Sequence, residues 1–143
     1  MHSLHRLADR HWRLYILLAW LGLALYLVYV KFAAINAMAL PDTDDNLRLV
    51  MVRDWLGGQH FFDYTQYRFD PAHGGANIHW SRLIDLPIAG LILLLEPFIG
   101  RAMAEQWAVT IAPMLPIGPF LWASSLTLRR LGVPMAVIFL PIA

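Results

Sequence analysis

Seventeen consecutive residues, Leu14 to Val30, carry no charge, and this run constrains the fold more than any other feature. A helix rises 1.5 Å per residue, so about 20 residues cross a hydrocarbon layer of roughly 30 Å. With the Lys31 ammonium snorkelling to the headgroups, residues 14–34 fit a membrane-spanning helix. Ahead of the run, Arg6, Arg10 and Arg13 stand against one carboxylate, Asp9. A basic leader of this kind places the N-terminus in the cytoplasm. The alternative is a cleaved signal peptide, because Ala37-Met38-Ala39 has the form of a cleavage site. Against it, the apolar run is long for such a segment and more apolar segments follow.

Composition agrees with a membrane protein. Hydrophobic residues make up 59% of the 143-residue chain and charged residues 15%, where a soluble domain holds about 45–50% and about 25%. Mean hydropathy is +0.53. So much apolar surface cannot be hidden inside a domain this small. Disordered and collagen-like chains are excluded. A net charge of +1 with sparse basic residues leaves no nucleic-acid footprint. The absence of cysteine removes disulfides, thiolate metal sites and cysteine nucleophiles.

The charges are unevenly placed. Seven of the eight aspartates fall within 41–85, with Arg48, Arg53, Arg68 and Arg82 and three histidines. Beyond this region Leu86–Leu95 is uncharged, Arg101 and Glu105 mark a short polar break, and Gln106–Leu128 is 23 residues without charge. Pro113, Pro116 and Pro119 recur every three residues there and predict a kinked helix whose freed carbonyls need partners. Arg129-Arg130 close that segment, and 13 uncharged residues end the chain. The fold expected is all-α: three transmembrane helices plus a truncated fourth, with an amphipathic helix in a long outer loop. The divisions are a cytoplasmic leader (1–13), a first transmembrane helix (14–40), an outer loop (41–85), and helices 2, 3 and the start of 4 (86–143). Thirteen residues rise only about 20 Å as a helix, so the chain reads as the N-terminal piece of a longer polytopic protein. Three crossings put Arg129-Arg130 on the outer face, against the positive-inside tendency. The alternative is that 86–100 is re-entrant and does not cross.

Any chemistry resides in the loop. Pro41-Asp42-Thr43-Asp44-Asp45-Asn46 opens a segment in which Leu47, Met51 and Trp55 share one face, and Gly57-Gly58 ends it. This predicts an amphipathic helix near 43–56, lying along the membrane surface. Its aspartates are explained either as an N-cap with dipole partners or as carboxylates that bind a divalent cation or accept a hydroxyl proton. The stretch from His60 to Phe69 mixes aromatic and polar residues, as an interfacial belt or a sugar platform does. Asp70-Pro71-Ala72-His73-Gly74-Gly75 is a turn by composition. At the re-entry, His79 and Arg82 present cations to a phosphate, or Arg82 pairs with Asp85. No histidine pair has metal-ligand spacing of the H-E-x-x-H kind. Glu96 beside Pro97 is a weaker ionisable candidate near a helix end.

One helix, an outer loop opening on paired acids, an amphipathic helix and a basic residue before the next helix together resemble the start of the GT-C membrane glycosyltransferases. That group includes protein O-mannosyltransferases, aminoarabinose transferases and oligosaccharyltransferase catalytic subunits. The matching stretch runs from Asp44-Asp45 through Arg53 to Gly57-Gly58-Gln59. Leu86–Gly100 and Leu128-Arg129-Arg130-Leu131-Gly132 resemble the group's later helices. Two positions depart from its pattern: the second acid is Asp45 where Glu is common, and His79-Trp80-Ser81-Arg82 replaces a Tyr-x-Lys-Pro-Pro-like stretch. The resemblance implies inverting transfer of a sugar from a polyprenyl-phosphate carrier to an acceptor at the outer face of a bacterial inner membrane. Asp44 or Asp45 would be the base, or ligand of an assisting Mg or Mn ion. Arg53, Arg82 or His79 would neutralise the departing lipid phosphate. The group's members build the lipid groove from many more helices, so 143 residues are not expected to catalyse alone. The competing expectation is a small non-enzymatic membrane protein, an assembly partner or transporter fragment, whose aspartates do no more than cap a helix.

Overall fold

The computed structural model describes residues 2–133, and the side chains of residues 11–133. The chain is mostly helical and divides into two compact units, one formed by Met1–Lys31 with Pro113–Ala143 and the other by Phe32–Ala112. Helix α1 runs His2–Asn36, with a break in helical geometry at His11 (φ −114°, ψ 23°). It ends at Met38, whose φ of 51° lies in the left-handed region that closes helices. There the Met38 N–H donates to the Ile35 carbonyl at 3.0 Å and the Ala39 N–H to the Ala34 carbonyl at 2.9 Å.

Helix α2 spans Thr43–Leu56. Asp42 caps it: its carboxylate accepts the Asp45 N–H at 2.9 Å. Gly57 closes the other end by donating to the carbonyls of Arg53 and Trp55. A two-residue hairpin follows, with β1 (Thr65–Gln66) antiparallel to β2 (Ala76–Asn77), Thr65 opposite Asn77 and Gln66 opposite Ala76. Gly75 is required at the crossing. Its φ is +95°, and a Cβ there would lie 2.7 Å from Thr65 Cγ2.

Helix α3 (Asp85–Ile99) and helix α4 (Arg101–Ile111) pack on each other across a single turn residue, Gly100, at φ +77°. Their small side chains, Ala89, Ala104 and Ala108, are buried, as are Ile92 and Ala112 just after α4. The core of this unit joins Ile88, Ala89, Ile92, Ala108 and Ala112 with Leu49 and Val52 of α2. Helix α2 therefore does not bury one stripe of Leu47, Met51 and Trp55 alone. Met51 is buried, but so are Leu49 and Val52, on a second face turned toward the alanine-lined hairpin.

After a 3₁₀ turn over Ala112–Met114, helix α5 runs Ile117–Arg130. The helical break coincides with Pro113 and Pro116, as a kink at those prolines requires. The Met114 carbonyl at the break accepts the Trp20 indole N–H at 2.9 Å. The Trp12 and Trp122 rings meet at 4.9 Å, and Ile16 packs with Trp12 against Leu121. Advancing from residue 12 to 20 on α1 thus matches retreating from 122 on α5 to 114 in the turn before it, which is an antiparallel pair in register.

Two helical stretches, His11–Asn36 and Arg101–Arg130, are long and apolar enough to cross a membrane. Helix α3 is not: its 15 residues rise about 22 Å, short of the roughly 30 Å layer. The expectation of three full crossings holds for two helices among the described residues, and the expected start of a fourth falls on 134–143, outside them. Of the two expectations for Arg129-Arg130, the antiparallel register agrees with the one in which 86–100 does not cross. It sets them at the same end of the pair as Trp12 and Arg13, with which the positive-inside tendency agrees. Cysteine introduced at Ser3 and at Leu131, in a chain with none of its own, is expected to react with a membrane-impermeant maleimide from the same side. Labelling from opposite sides would contradict the register.

Candidate functional site

The second unit is organised by Arg82, one of the largest fully buried side chains, at 1% exposure. A guanidinium has five N–H donors and no acceptor. Here each donor finds an oxygen. Nε donates to the Phe61 carbonyl at 3.3 Å. Nη1 donates to the Met51 carbonyl at 3.1 Å and to Asp85 Oδ2 at 3.5 Å, and Nη2 to the Asp63 carbonyl at 2.7 Å and Gln59 Oε1 at 3.4 Å. The rings of Trp55 and Tyr64 lie within 6 Å, at 5.9 and 5.7 Å. Arg82 thereby ties α2, the loop after it and the first turn of α3. Asp85, also buried, takes a second cation, Arg48, at 2.7 Å, and Arg48 lies 5.0 Å from the Trp80 ring. Arg82 thus has no donor left for a ligand. Its expected phosphate role is replaced by a structural one, because burial without those partners would cost several kcal/mol. His79 is exposed and lines neither of the clefts described below.

A second set of charges runs along the opposite edge of α2. Arg53 donates from Nε and Nη2 to Glu105 Oε2, at 3.0 and 2.6 Å. Glu105 Oε1 accepts from Arg101 at 2.7 Å, and Arg101 also reaches Glu96 at 3.3 Å. Glu96 and the polar break at Arg101 and Glu105 are thus one ion-pair chain. Arg68 holds Asp54 through both Nη atoms, and buried Gln66 bridges them, donating to Asp54 Oδ2 and accepting from Arg68. This pairing holds the Asp54 carboxyl below the ordinary aspartate range. Asp63 is lowered too, to about 2, chiefly by the Thr65 backbone N–H at 2.9 Å and further by the hydroxyls of Thr65 and Tyr67.

Arg53 and Arg68 stand between two clefts. One, of about 410 Å³, runs along α2 from Thr43 and Asn46 to Arg53 and is closed by Gln66, Arg68 and Phe69. The other, of about 690 Å³, takes Asp54, Gln59, His60, Asp63 and Tyr67 as its polar wall. Both guanidiniums remain accessible, with side chains 47% and 64% exposed. Asp44 and Asp45 are exposed in the first turn of α2. They do not line the cleft themselves; their chain neighbours Thr43 and Asn46 do. The Asp45 carboxyl is raised above its ordinary value, first by burial and then by Asp42. Among the described residues no group of three or more His, Asp or Glu converges as a metal site.

The structure therefore brings Arg53 to a cleft beside the acidic start of α2, and sets Arg82 and His79 apart from it. Sequence reasoning missed Arg68 and Gln66. The signal for them was faint, because their partner Asp54 lies 14 and 12 residues away and the chain returns through a two-residue hairpin. No family model matches the chain, and neither a curated protein nor a solved structure matches it.

Two outcomes are expected. Arg82→Gln leaves Asp85 and several carbonyls short of donors and should destabilise the chain by about 3–5 kcal/mol. Arg82→Lys, with three donors, should recover only part of this; chemical denaturation of both variants measures it. Asp63 and Asp54 have lowered values in the folded chain, so their contribution is full above the ordinary aspartate value near 4. It is lost as pH falls through the folded value, about 2 for Asp63. The protection factors of the amides of residues 60–70, corrected for the intrinsic pH dependence of exchange, should fall over that window and stay flat above it.

Proposed function

We propose that the chain is part of a membrane-embedded glycosyltransferase of the GT-C kind, transferring a sugar from a polyprenyl-phosphate carrier at the outer face of a bacterial inner membrane, with the leader cytoplasmic. The observation that carries this is the cleft along α2, cationic at Arg53 and Arg68, whose other end at Thr43 and Asn46 adjoins the exposed Asp44 and Asp45 of the helix start. A lipid-phosphate sugar has that polarity: its leaving phosphate gains charge in the transition state, where fixed cations help most. Helix geometry distinguishes the two acids. At 100° per residue, Asp45 lies about 80° around the helix from Arg53, and Asp44 lies on the far side. Asp45 and Arg53 are about 12 Å apart along the axis, room for a sugar ring and its phosphate. Asp45 is the proposed base, and its raised value brings a carboxylate closer to the acceptor hydroxyl it would deprotonate. If a divalent ion takes part, Mg or Mn, Asp45 is the member of the Asp44–Asp45 pair placed to ligate it, and the substrate phosphate and water would supply the rest, as magnesium commonly accepts.

A second reading has its own support. Arg48 and Arg53 of α2 and Arg68 after β1 are each already opposite a carboxylate, and Asp42 to Asp45 form a complete helix start, which is all that a non-enzymatic membrane protein needs.

Consumption of lipid-linked sugar by membranes carrying the protein separates the two. Asp45→Asn should lower turnover by about 10²-fold or more, Asp44→Asn much less, and Arg68→Gln should chiefly raise KM. The acid limb of the rate profile should lie above the ordinary aspartate value, because activity needs Asp45 ionised and its value is raised. Consumption no greater than in membranes lacking the protein would leave the non-enzymatic reading, and full turnover in Asp45→Asn would remove Asp45 as the base.

A further inference from the structure

The antiparallel pair α1–α5 carries a groove that the transferase reading does not use. It encloses about 640 Å³ and is walled by Leu14, Leu17, Trp20, Leu115 and Trp122, with one charged residue, Arg13, in its lining. Gly118 forms part of the lining opposite Trp20; a Cβ there would already touch the indole at 3.4 Å, so a larger side chain would fill the slot. The slot is therefore a tube of hydrocarbon with a cation at one end.

That end is built for an anion. The Arg13 guanidinium carbon lies 5.6 Å from both the Trp12 and the Trp122 ring centres, and Arg129 lies 5.3 Å from Trp12. Stacked on its rings, the Arg13 guanidinium keeps its planar donor edge for a phosphate, which Arg grips in a forked geometry. Tryptophans collect at the headgroup level of bilayers. Arg129-Arg130 lie at the same end of the pair as Arg13, so the surface potential at this end favours anionic lipid. From Arg13 to Trp20 is about 10 Å along the helix, the upper part of an acyl chain.

We infer that this groove holds one anionic glycerophospholipid of the leader-side leaflet, its phosphate on Arg13 and an acyl chain against Trp20 and Gly118. The site is independent of the transferase reading. It lies in the unit formed by the two ends of the chain and involves neither Asp45 nor Arg53.

Native mass spectrometry of the chain released from mixed phosphatidylglycerol–phosphatidylcholine vesicles tests it. The wild type should retain one phosphatidylglycerol about tenfold over phosphatidylcholine at equal mole fraction. Arg13→Gln should bring the two lipids to parity, and Gly118→Leu should remove the retained lipid of both kinds. Arg13→Lys, which keeps the charge, should keep part of the selectivity. Equal retention of both lipids by the wild type would reduce the groove to ordinary boundary lipid, and a lipid-free dimer would assign it to a second copy of the chain. Either outcome overturns the inference, and neither depends on a variant that must fold.

Discussion

A buried guanidinium is tolerable only where all its donors are met, and the polar half of this protein is built around one. Arg82 gathers three main-chain carbonyls, one amide oxygen and one carboxylate from stretches that share no secondary structure with each other. Main-chain oxygens are fixed in space once the backbone is placed, so five simultaneous bonds fix the backbone in turn. The path from the end of α2 to the start of α3 is thereby set. So is the position of the β1–β2 hairpin, whose Gln66 and Arg68 meet Asp54 on α2. The cleft along α2 is a consequence: one wall is the helix, and the other is the hairpin held against it.

The apolar half follows a simpler constraint. Helix α3 is short, and Gly100 turns the chain back into α4, whose alanines allow the two helices to approach closely. The long stretch from Arg101 to Arg130 pays for its prolines at Met114, where the indole of Trp20 takes the exposed carbonyl. Without such a donor a free carbonyl in hydrocarbon costs several kcal/mol. The same contact fixes the register of α1 with α5 and brings the two arginine-bearing ends together.

Much of this was legible in the sequence, for physical reasons that differ from element to element. The first span follows from an uncharged run alone. Helix α2 announced both ends, with Asp42 as an acceptor for the first free N–H and Gly57 as its stop. The proline kink was legible because proline removes a donor wherever it stands. Arg82 was visible as a cation near a membrane helix, and Asp85 as its neighbour three residues on. Its fate was not, since its remaining partners are carbonyls and an amide 19 to 31 residues away, and any residue type supplies a carbonyl. Hydropathy marked Leu86–Leu95 as apolar, but membrane crossing also depends on length, and that was decided by one glycine. The acidic pair was readable as the first turn of a helix.

The most direct measurement is photo-crosslinking with a polyprenyl-phosphate sugar carrying a diazirine on the sugar. If the cleft along α2 receives the phosphorylated sugar, the label will be found on peptides from residues 43–69 and will be displaced by unlabelled donor. Label absent from that stretch, or on it but not displaced by donor, would contradict the assignment of the cleft.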